Sequence, residues 1–205
     1  MKQTKRYKLG ELELKNSVYV SDPCYDPGIW CQALVDNLKP GKYIGYMKKA
    51  DFGPGGFGGI RVTDLWIIHS EHPHLYPIKI LDPGIDIGVD SGAAGIYDSD
   101  YYEKHHTPEL NEDWYDKQFD LRYRFDVNGE KYIEPYPEYD RKNMKINWIY
   151  SGQERRDGIE LDGKCIISFS GFGDGGYELY ARKDKAGKII GLRINFINTH
   201  YEDEE

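Results

Sequence analysis

The stretch Cys165-Ile-Ile-Ser-Phe-Ser-Gly-Phe-Gly-Asp-Gly-Gly-Tyr-Glu-Leu-Tyr-Ala-Arg182, followed by Ile189-Ile-Gly-Leu-Arg-Ile-Asn-Phe-Ile197, decides the fold class. Its apolar runs are rich in β-branched and aromatic residues, and turn-forming residues separate them. Residues 165–169, 177–182 and 189–197 read as three strands of an antiparallel meander. Asp184-Lys185-Ala186-Gly187 is the turn between the last two.

Working outward from this stretch, the same pattern recurs. Residues 5–20 read as one or two strands, with Leu12 and Leu14 alternating ahead of Val18, Tyr19 and Val20. Residues 42–50, 60–69 and 85–89 are further strands, the first two joined across a glycine-rich hairpin loop at 53–59. That loop lacks Gly-Lys-Ser/Thr and is not a phosphate-binding loop. Asn128-Gly129 marks another hairpin. Asp26 as N-cap and Pro27 at the first helical position predict a helix running to about Asn37, with Trp30, Ala33 and Leu34 on its apolar stripe. A second amphipathic helix is expected over 111–125, and one helical turn at 98–102. The fold class expected is α+β and β-rich: a single domain, 1–205, of mainly antiparallel sheet with about two helices and an acidic tail at 202–205.

Bulk properties narrow the function. Among 205 residues, 35 are Asp or Glu against 27 Lys or Arg, giving a net charge of −8. An acidic surface repels phosphate backbones, which argues against nucleic acid as the main partner. The longest apolar runs fall well short of a bilayer span, so no membrane partner is expected. The basic N-terminus has no apolar segment behind it and does not read as a signal peptide. Cys24, Cys31 and Cys165 are an odd number without a Cys-x-x-Cys pair. They read as reduced thiols of a cytoplasmic protein, neither a disulfide framework nor a zinc site.

Three short acidic turns carry the candidate chemistry: Ser21-Asp-Pro-Cys-Tyr25, Val89-Asp-Ser-Gly92 and Gly171-Phe-Gly-Asp-Gly-Gly-Tyr177. Each sets an aspartate at the end of an apolar run, where binding residues are often displayed. Asp90 and Asp174 either cap their own turns or face a shared cleft as general base, metal ligand or hydrogen-bond acceptor. Cys24 stands before the expected helix N-terminus, which favours a thiolate, but Asp22 and Asp26 flank it and favour the neutral thiol. His69, His72 and His74 lack metal-ligand spacing, and Ser70-Glu-His-Pro-His74 reads as an exposed loop after a strand, so no metal site is expected. The shared-site reading gathers Asp22, Cys24, Asp90, Ser91 and Asp174 around one ligand, with Asp90, Asp174 and Cys24 as the catalytic candidates. No motif specifies a cofactor or an oligomeric state.

These motifs resemble an uncharacterised family that recurs in bacteriophage and bacterial genomes as a domain of unknown function. The quoted strings are Val20-Ser-Asp-Pro-Cys-Tyr25, Val89-Asp-Ser-Gly-Ala-Ala-Gly-Ile-Tyr-Asp98 and Ser170-Gly-Phe-Gly-Asp-Gly-Gly-Tyr177. Their order and spacing match along 18–197, with Ala93 where the resemblance leads one to expect glutamine. The resemblance implies a phage-type accessory protein, of the kind that serves counter-defence in the host cytoplasm. Two functions follow as expectations. One is a small polar ligand, nucleotide-like or otherwise, that the protein hydrolyses or sequesters. The other is a protein-interaction module that blocks a host protein through an acidic, tyrosine-rich surface.

Overall fold

The computed structural model describes residues 4–53, 59–77, 79–80, 85–105, 123–125, 131–133 and 157–199. Two antiparallel sheets dominate. The larger contains β1 (Thr4–Leu14), β4 (Gly41–Asp51), β5 (Ile60–His69), β14 (Ile189–Asn195) and β13 (Gly175–Lys183), in that spatial order. Both β6 (Lys79–Ile80) and β7 (Asp86–Val89) pair with the far side of β13. The smaller sheet runs β11 (Gly158–Leu161), β12 (Cys165–Phe169), β8 (Ala93–Asp98), β2 (Val18–Ser21) and β3 (Ala33–Val35). A separate ladder joins β9 (Tyr123–Phe125) to β10 (Lys131–Ile133), the two strands expected to flank Asn128-Gly129.

Alternation along the strands sends one face of each sheet inward. Leu12, Met47, Leu65 and Leu192 from the large sheet share one cluster with Val18, Val20, Ile96 and Ile166 from the small one. Each such side chain contributes about 1.5–3 kcal/mol on burial. Gly45 marks where the sheets touch: a Cβ there would lie 2.6 Å from Ile166 Cγ2.

The outer faces are also covered. Helix α1 (Ser99–His105) lays Tyr102 against Tyr19, with ring centroids 4.9 Å apart, and closes the outer face of the small sheet. Asp98 caps α1 by accepting the Tyr101 N–H at 3.2 Å. On the large sheet, Tyr46 stacks on Trp66 and Tyr76 meets Trp66 edge-on at 5.0 Å. Beside them the buried Arg193 guanidinium donates to Asp64 at 2.9 Å and lies 4.0 Å over the Tyr180 ring.

Three expectations are corrected. The helix over 26–37 does not form; turns lead into β3, which pairs with β2. The apolar residues there alternate in burial, Ala33 and Val35 inside and Leu34 outside, which is the period of a strand. Residues 123–125, the end of the second expected helix, are strand, and 111–122 lie outside the described residues. One helix is therefore described where about two were expected. The three C-terminal strands are not one meander: β12 belongs to the small sheet, while β13 and β14 pair in the large one. His69 closes β5, as the strand reading of 60–69 has it, and is buried there. The tip of the glycine-rich loop, 54–58, and the acidic tail, 202–205, lie outside the described residues.

Candidate functional site

The small sheet delivers the first acidic turn at the end of β2, and the second links β7 of one sheet to β8 of the other. Asp22 joins them. Its side chain is fully buried and accepts four hydrogen bonds. Oδ1 takes the Cys24 N–H at 2.7 Å and the Ser91 hydroxyl at 2.8 Å. Oδ2 takes the Asp90 N–H at 2.8 Å and the Ser91 N–H at 2.7 Å. Charge-assisted bonds of this kind are the strong ones, and a carboxylate removed from water requires them. Asp22 thus ties its own turn to the second and has no exposed surface of its own.

The third turn, 170–174, carries the chain from β12 in the small sheet to β13 in the large one. It meets the second turn through the Ser170 N–H, which donates to Gly92 O at 3.0 Å. Gly92 (φ +70°) and Gly173 (φ +110°) both use left-handed backbone. A Cβ on Gly92 would sit 3.9 Å from the Gly173 Cα. Inside the turn, Ser170 Oγ donates to Gly173 O at 2.7 Å, and the Tyr177 hydroxyl lies within hydrogen-bonding distance of Ser170 O and Gly173 O. The β7–β13 ladder ends with Val89 opposite Gly175. Asp90 and Asp174 are the next residues on the two strands, so they flank each other at that end, both exposed.

The loop between β2 and β3 wraps the glutamine side chain of Gln32. Its Oε1 accepts the Gly28 N–H at 3.0 Å. Its Nε2 is within 2.9 Å of both Ser21 Oγ and Asp26 O, and 2.8 Å from the Tyr102 hydroxyl. Cys31 O accepts the Gly88 N–H at 2.8 Å, which docks the loop on β7. From this loop the Tyr25 hydroxyl donates to Asp90 Oδ2 at 2.6 Å. Gln32 and Tyr102 escaped the sequence reading: the first sits in an expected helix, and the second acts from a helix remote in sequence. The helical turn expected at 98–102 was the clue to α1.

Electrostatics bear on what this junction does. Cys24 is exposed, yet partial burial of its sulfur and the Asp22 carboxylate raise its thiol pKa, with Ser91 opposing. It therefore stays protonated near neutrality and is a weak nucleophile. Burial, followed by the bond to Asp90, raises the Tyr25 hydroxyl well above its ordinary value, so it remains a donor. Segments 16–38, 81–103 and 165–181, which carry the three turns, contain no lysine, arginine or histidine. Exposed along them are Asp26, Asp36, Asp86, Asp90, Asp100, Glu103, Asp174 and Glu178. Among the described residues no group of three or more His, Cys, Asp and Glu is placed to hold a metal ion.

The three turns thus meet, but their aspartates do not play one part. Asp22 is interior, Ser91 is spent on Asp22, and Cys24, Asp90 and Asp174 remain at the surface. Comparison with known families finds one whose model, described as "Protein of unknown function (DUF4241)", matches residues 86–194. The match spans Asp90, Ser91 and Asp174 and begins after Asp22 and Cys24. No curated protein and no solved structure matches the chain.

Proposed function

This chain belongs to the DUF4241 family of proteins of unknown function, and we propose that it is a binding protein that sequesters a small polar ligand at the junction of its three acidic turns. The observation that carries this reading is the buried Asp22 carboxylate. It spends all its bonding capacity on holding two loops together, while Cys24, Asp90 and Asp174 stay exposed around it. A rigid interior anchor beneath exposed polar groups is how preorganised sites are built. The Cys24 thiol, held neutral, is a weak nucleophile, which favours sequestration over hydrolysis through that residue. The acidic setting favours a ligand presenting amines or hydroxyls, such as a nucleoside or amino sugar, over one presenting phosphate. A phage-type accessory role in counter-defence, implied by the motif resemblance, accords with a protein that removes a small signal without turning it over. The cytoplasm, where thiols stay reduced, is the compartment this reading assigns.

Native mass spectrometry of the protein, after incubation with bacterial extract and gentle desalting, tests this. The wild type should carry a retained small-molecule mass. The double variant Asp90→Asn/Asp174→Asn should lose it while melting like the wild type. Retention by that variant, or no retained mass on the wild type, overturns the reading; recovery of a cleaved ligand would restore hydrolysis.

A further inference from the structure

On the third turn a phenylalanine stands between two glycines, Gly171-Phe172-Gly173, directly before Asp174. Both glycines take left-handed backbone, φ +64° and +110°, which lets the chain bend sharply around Phe172. Neighbours hold the bend in place. A Cβ on Gly171 would lie 2.9 Å from Ile197 Cγ1 and 3.1 Å from Val62 O, and the Gly173 N–H donates to Ser170 O at 3.0 Å. The Phe172 side chain is nevertheless 52 % exposed.

Strand register shows what surrounds it. β4 ends, β5 begins, β14 ends, β13 begins and β7 ends at one end of the large sheet. There the Phe172 ring meets Phe52, the residue after β4, with centroids 5.8 Å apart, and the Arg61 guanidinium of β5 lies 5.7 Å from its centre. Onward from Phe172, Gly173 lies against Gly92 of the second turn, and Asp174 follows beside Asp90. The Cα atoms of Phe172 and Asp174 are at most about 7.6 Å apart, since only two peptide units separate them. A run of contacts therefore leads from Phe52 and Arg61, through Phe172, to the two exposed carboxylates.

We propose, resting on the sequestration reading above, that Phe172 is the platform on which a planar heteroaromatic ring of the ligand stacks, so that the ligand is of the nucleoside class rather than an amino sugar. A ring already held in place loses little freedom when a ligand covers it. Stacking on it requires only that the ligand have a π-face, which a sugar ring lacks. Asp174 and Asp90, acceptors when ionised, then take hydrogen bonds from amines or hydroxyls at the edge of the ligand.

Titration calorimetry with the common ribonucleosides, and with glucosamine as the amino sugar, tests this. The wild type should bind at least one nucleoside and not glucosamine. Phe172→Leu keeps apolar bulk but loses the flat face, and should weaken that binding at least about tenfold, the effect of one lost stacking contact. Phe172→Tyr should retain it. The side chain is half in water, so both variants should melt like the wild type. Any small molecule retained from bacterial extract should be aromatic and should be lost from Phe172→Leu. Equal nucleoside binding by the wild type and Phe172→Leu overturns the proposal, as does a preference for glucosamine. A retained mass without an aromatic ring, kept by Phe172→Leu, overturns it while leaving sequestration intact. No retained mass and no bound nucleoside overturns both.

Discussion

At the scale of single residues, Asp22 and Asp90 show how one residue type in similar turns takes opposite parts. Asp22→Ala would strand the Cys24, Asp90 and Ser91 N–H groups beneath the surface. The expected loss is about 2–4 kcal/mol, read by urea denaturation. Asp90→Asn removes only an exposed partner of Tyr25 and should cost less than about 1 kcal/mol; an equal loss in the two variants would refute this division. His69 gives a second residue-scale prediction. Burial and then the charge of Lys39 lower its pKa, with Glu71 opposing and His72 adding to the lowering. The folded state therefore prefers neutral imidazole, while the unfolded chain protonates near its ordinary value of about 6.5. The contribution of His69 is fully present above that value and is lost as pH falls through it, because the unfolded state then binds more protons. Stability measured from pH 7.5 down to 5.5 should fall, and less steeply in His69→Gln. An unchanged slope in that variant would exclude His69 as the source.

At the scale of elements, the loop from 22 to 32 is threaded on one side chain, Gln32, in addition to its bonds to Asp22, Tyr102 and β7. Gln32→Ala removes the bonds to Gly28, Ser21, Asp26 and Tyr102 together. The expected cost is about 1–3 kcal/mol. Amide exchange should accelerate across 24–31, with the β13–β14 ladder unaffected. Acceleration spread evenly over both sheets would mean that the loop is not an independent unit. The failed helix has the same origin. Asp26-Pro27 is a sound helix start locally, but the pairing of Ala33, Leu34 and Val35 with β2 outweighs it. Propensity is a difference of tenths of a kcal/mol per residue, whereas burying Val35 and Ala33 under the small sheet contributes more.

At the scale of the whole molecule, the two sheets approach closely where Gly45 faces Ile166. Gly45→Ala places a methyl group 2.6 Å from the Ile166 Cγ2 and must push the sheets apart or force a rotamer change. The expected cost is about 1–3 kcal/mol. Pairing it with Ile166→Val should recover part of that loss, because the two sites share one contact. Strict additivity in the double variant would show that the sheets do not meet there. The same packing makes the junction of acidic turns: the second and third turns are crossovers between sheets, so their meeting depends on both sheets closing on one core.

The sequence by itself determined the strands, because period-two burial and turn residues are local signals. β1, β2, β4, β5, β7, β12, β13 and β14 fall where alternation and Gly, Pro and Asp clusters indicate, and the hairpins across 53–59 and 184–187 close as their residues demand. It also marked Asp22, Asp90 and Asp174 as residues at turns. Only the tertiary structure decided which strands share a sheet, and hence that 165–169 parts from 177–182. It decided as well that Asp22 lies inside while Asp90 and Asp174 lie outside. It decided that Trp30, placed by helical periodicity on an apolar stripe, stands in water. These outcomes rest on contacts between residues far apart in the chain. Such contacts are set by how the whole core closes, and no local pattern of residues encodes them.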